Sequence, residues 1–148
     1  MKTYKDIVTI FQDACDKHIP TKTFAEGTID YLDASSQNVK YPYMFLRPLS
    51  SPGLVQSTNT HTYTFELYSI DVPKLSDETP IDVKSRTELY LYDIISYIRR
   101  GPYQQDLDCE LQSIGPVNEA FNDRAFGWVA TIQVSSPGVY NYCNFPEL

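Results

Sequence analysis

The 148-residue chain holds two imidazoles, His18 and His61, too few and too far apart for a His-rich metal site or the paired histidines of a zincin helix. His18 closes a helical stretch, where a protonated ring complements the negative end of the helix dipole, and His61 stands at a strand edge. Both read as structural. Asp106, Asp108 and Glu110 alternate, so in an extended segment their carboxylates would share one face and repel each other unless solvated or bound to a cation. A hard-cation site usually draws its ligands from a glycine-bearing loop, and the acids more simply make a solvated strand edge that resists aggregation. Arg99 and Arg100 could grip a phosphate or a partner's carboxylate, although a place at a helix end also accounts for them.

Cys15, Cys109 and Cys143 are odd in number, widely spaced and free of any Cys-x-x-Cys pair, which predicts buried thiols rather than a disulfide framework or a zinc site. The chain has no Gly-x-Ser-x-Gly elbow, phosphate-binding glycine loop or dinucleotide fingerprint, so hydrolase, kinase and dehydrogenase readings lose their support. No catalytic residue, metal or cofactor is expected. An enzyme would need a perturbed carboxylate or histidine in a cleft, with Asp106, Asp108 and Glu110 the place to look.

The elements that would position these groups follow from periodicity. Ile7, Ile10, Phe11, Ala14 and His18 recur at helical spacing over residues 4 to 18, and Pro20 stops the run. Phe24 to Leu32 reads as a strand bent at Gly27, and Tyr43 to Arg47 as a short strand. Pro48 to Asn59, rich in Ser, Pro and Gly, reads as an extended loop. Tyr63, Phe65 and Leu67 alternate with polar residues in a strand from His61 to Ile70. Thr79, Pro80 and Asp82 specify a helix start, Val83, Thr87, Tyr90, Leu91, Ile94 and Ile98 form its stripe, and Gly101-Pro102 ends it. Cys109 to Ser113 makes a weaker strand and Trp128 to Val134 a strong, central one, with an irregular loop between them. The aromatic arm at about 135–148, with Tyr140, Tyr142 and Phe145, has weak patterning and must dock, either on its own sheet or on a neighbouring subunit. The expected fold is one α+β domain over 1–148, an antiparallel or mixed sheet with two helices on one face in the order α-β-β-β-α-β-β.

The net charge of −7 speaks against a duplex-gripping face, which needs clustered cations. Twelve tyrosines favour pleated sheet and amphipathic contact surfaces. Neither a signal peptide core nor a bilayer-length apolar run occurs, so the chain is expected to stay where it is made, with no membrane partner.

The succession of elements, the run Tyr41-Pro42-Tyr43-Met44-Phe45-Leu46-Arg47-Pro48, and the run from Glu119 through Gly127-Trp128 to Ile132 resemble the tail terminator and head-to-tail joining (neck) proteins of tailed bacteriophages. The first run is similar to their second strand, the second to the stretch entering their last core strand. The resemblance implies a structural virion protein, assembled in the host bacterial cytoplasm, whose copies close into a ring around a channel. Its partners would be its own copies and neighbouring neck, portal-side or tail-tube proteins, with DNA passing through without specific binding. It further implies that Pro48 to Asn59 reaches toward a neighbour or the bore. The candidate inter-subunit contacts are Pro52, Gly53, Leu54, Val55, Arg99, Arg100, Tyr140, Tyr142 and Phe145, and acidic residues in the bore would repel phosphate. The competing reading is a small dimeric ligand-binding or regulatory domain, which requires a concave apolar pocket with a few convergent polar groups.

Overall fold

A computed structural model describes residues 2–28, 40–55, 57–74, 76–120 and 125–138. Among them the elements are α1 (Tyr4–Lys17), β1 (Thr23–Glu26), β2 (Tyr43–Val55), β3 (Thr60–Asp71), α2 (Pro80–Arg100), β4 (Asp108–Ala120) and β5 (Ala125–Pro137). The order is the one the sequence predicts, an α+β fold with both helices on one face of a mixed sheet.

Each helix begins with a capping box. The Thr3 side chain accepts from the Asp6 amide while the Asp6 carboxylate accepts from the Thr3 amide, and Thr79 and Asp82 repeat the arrangement with Pro80 in the first turn. Ile7, Ile10, Phe11, Ala14 and Cys15 form the buried stripe of α1. Val83, Thr87, Leu91, Ile94, Ile95 and Ile98 form that of α2. Lys17 and Tyr97 meet across the helices, as do His18 and Asp93. At Gly101 a Cβ would lie 2.3 Å from the Tyr97 carbonyl oxygen, so the terminating residue has to be glycine.

The sheet order is β1-β2-β3-β5-β4, with β1 parallel to β2 and every other pair antiparallel. β3 and β5 pair without a shift from Thr60↔Pro137 to Asp71↔Phe126, which makes them the regular spine. Because side chains alternate across a strand, Met44, Leu46, Phe65, Leu67, Ala130, Ile132 and Val134 all face the helices and join their stripes in the main core. The opposite face carries a smaller cluster of Tyr43, Phe45 and Ile70, fully buried, with Ala25, Tyr41, Tyr68 and Val117 against it. Its rings meet edge to face, Tyr43 with Phe45 at 6.1 Å and Phe45 with Tyr68 at 6.3 Å.

Several segments depart from expectation. Pro48 to Val55 is not a loop but the second half of β2, and only the turn before Thr60 remains of the excursion. Two register shifts, Pro48/Ser50 and Ser50/Gly53, absorb the prolines, because a bulge tolerates a residue that cannot donate to the ladder. Gly53 at φ 76 takes the left-handed conformation that this requires. β1 ends at Glu26, before the expected Leu32; residues 29–39 lie outside the described residues. β4 runs through to Ala120 and β5 starts at Ala125, so a long strand pair replaces the irregular loop expected between Ser113 and Trp128. Ser135 to Pro137 belong to β5 rather than to a separate arm, and residues 139–148, with Tyr140, Tyr142, Cys143 and Phe145, lie outside the described residues.

Candidate interaction surface

The C-terminus of α2, the turn into β4, the end of β5 and the β2–β3 turn converge at one end of the sheet. They enclose an open groove of about 780 Å³ lined by Thr58–Thr60, Arg99, Arg100, Gln104–Asp108 and Ser135–Pro137. A smaller hollow of about 310 Å³ continues it toward α1, adding Lys2 and Asp6 and sharing Gln105, Asp106, Ser136 and Pro137. The walls are fixed from below. Ser135 and Thr62 share a hydroxyl hydrogen bond of 3.0 Å, the Lys2 amide donates to Ser136 Oγ at 3.3 Å, and the Gly138 amide donates to the Asn59 carbonyl at 2.7 Å. Tyr103, in the turn after α2, donates to Asp13 of α1 at 2.7 Å, and Tyr97 donates to the same carboxylate at 3.2 Å. The Tyr103 bond above all, opposed by partial desolvation and seconded by Lys17 and Tyr97, holds the Asp13 carboxyl below the usual range.

Arg99 and Arg100 are exposed and make no ion pair among the described residues. They stand where cations favour the helix dipole, and their guanidinium forks face solvent beside the groove. Pro52, Gly53 and Leu54 lie on β2, in the half of that strand that β1 does not reach, since β1 pairs only with Tyr43–Leu46. Leu54 pairs across to His61, and Val55 to Thr60, beside the turn that lines the groove. The hairpin end and the arginine pair are thus neighbours, a juxtaposition that sequence spacing alone does not reveal.

The three acids do not form the cluster that strict alternation suggested. Asp106 lies in the turn before β4, while Asp108 and Glu110 are strand residues flanking buried Cys109, and all three are exposed. Among the described residues no group of three or more His, Cys, Asp or Glu side chains is arranged to hold a metal.

His18 caps α1 and joins a carboxylate to a hydroxyl, with Nε2 3.0 Å from Asp93 Oδ2 and Nδ1 2.7 Å from Thr21 Oγ1. Such a line could activate a hydroxyl, but an acyl-transfer site also needs amides free to stabilise an oxyanion. The amides of Thr21, Lys22 and Thr23 are all spent on the His18 and Pro42 carbonyls. The arrangement ties α1 to α2 and closes the helix. His61 packs edge-on against Tyr63 at 4.5 Å, and its Nδ1 is buried without a hydrogen-bond partner among the described residues.

One charged cluster escaped sequence reasoning because its members are dispersed. Asp71, fully buried, accepts from Arg86 Nε at 2.9 Å; the same guanidinium bonds Glu78 and, at 3.3 Å, the Val72 carbonyl. Burial opposes the charge on Arg86, and the Glu78 and Asp71 carboxylates outweigh it, so its pKa rises. The clamp pins the β3–α2 connection.

Cys15 and Cys109 are free and buried, and desolvation pushes both thiols up to about 12. No helix among the described residues is long and apolar enough to cross a membrane. Comparison with known proteins finds no matching family model and no matching curated protein.

Proposed function

We propose that this chain is a structural virion protein of a tailed bacteriophage, a tail terminator or neck connector whose copies close into a ring through which DNA passes. The observation that carries the reading is the convergence at one end of the molecule of the long β2–β3 hairpin and a groove whose Arg99 and Arg100 make no ion pair among the described residues. A ring needs two different surfaces that complement each other across a rotation. The half of β2 that runs beyond its pairing with β1 and the charged, open groove at the end of the sheet are suited to that, and the described fold supplies the element order that the phage resemblance implies. Acidic residues facing the bore would disfavour salt bridges to DNA phosphate. The chain works without catalysis in this reading, and its neighbours are its own copies and the adjoining neck, portal-side or tail-tube proteins.

The ligand-binding alternative gains less support, since the groove is broad, open and lined mainly by polar side chains, whereas small-molecule sites are concave and largely apolar. Replacing Arg99 and Arg100 together by Glu tests the proposal. The monomer should fold unchanged while the ring fails to close; intact rings from the double variant would remove the groove from the interface.

A further inference from the structure

We draw no further inference here: the strongest candidate, the edge of β2 from Arg47 to Val55 that β1 leaves unpaired among the described residues, carries nothing because Pro48, Pro52 and two register shifts blunt it against an added strand and nothing in the structure shows what covers it.

Discussion

Gly127 shows how one atom can set a strand pair. A Cβ there would fall 1.9 Å from the Ser69 carbonyl oxygen and 2.9 Å from the Ile70 Cα, both backbone atoms that cannot swing aside. Gly127→Ala should cost about 1–3 kcal/mol in urea denaturation, the usual penalty of overpacking. Gly115→Ala, whose Cβ would meet only Val129 Cγ1 at 3.9 Å, should stay within about 0.5 kcal/mol of the parent. The clamp on Asp71 is more demanding. Arg86→Met leaves a buried carboxylate short of its main partner, with Lys74 still 3.8 Å away. The expected loss is about 3 kcal/mol, the lower end for breaking a buried pair, and Asp71→Asn in the same chain should recover part of it. Cys15 and Cys109, with thiols pushed up to about 12 by burial, should resist thiol reagents until the chain unfolds. In Cys143→Ser protein, the labelling rate should follow urea unfolding, whereas rapid labelling without denaturant would mean that these thiols are open to solvent.

At the scale of elements, the helices were legible almost to the residue because their signals are local. Thr79, Pro80, Asp82 and Gly101 are all within one turn of the boundary they set. The strands β3 and β5 were legible where one face is buried, since Phe65, Leu67, Ala130 and Ile132 alternate with polar neighbours. The distal half of β2 was not legible. Its Ser, Pro and Gly content is that of a loop, and only pairing to β3, a long-range property, shows that bulges turn those residues into strand. The groove was half legible: Arg99 and Arg100 stood out, but the polar turn 104–108 and the β5 end gain meaning only when the fold brings them together. Asp13 joins α1 to the groove's supporting turn through Tyr103, and its lowered pKa gives a sign to the pH dependence. A carboxyl depressed in the folded state contributes stability above its unfolded pKa, and that contribution disappears as pH falls through the folded value. Asp13→Asn should accordingly flatten the acid limb of the stability curve below about pH 4 and leave its slope near neutrality unchanged, as read from urea midpoints across a pH series.

At the scale of the whole molecule, the described residues make a rigid mixed sheet with a helical layer over one face, and the features left over all concern contact. They are a hairpin extending past β1, a groove with two guanidinium groups that make no ion pair among the described residues, and exposed apolar side chains on α2. Of these, the apolar side chains gain by leaving water, and the charged groove and strand edge supply complementarity in an assembly. The phage reading joins them to the element order by giving each a neighbour. It is tested most directly by the mass of the purified protein in solution across a concentration range, measured by light scattering, with particle imaging of the largest species. The account predicts a closed ring of identical subunits with a central hole wide enough for a DNA duplex. A single-chain mass at every concentration, or a two-chain particle without a hole, would contradict it.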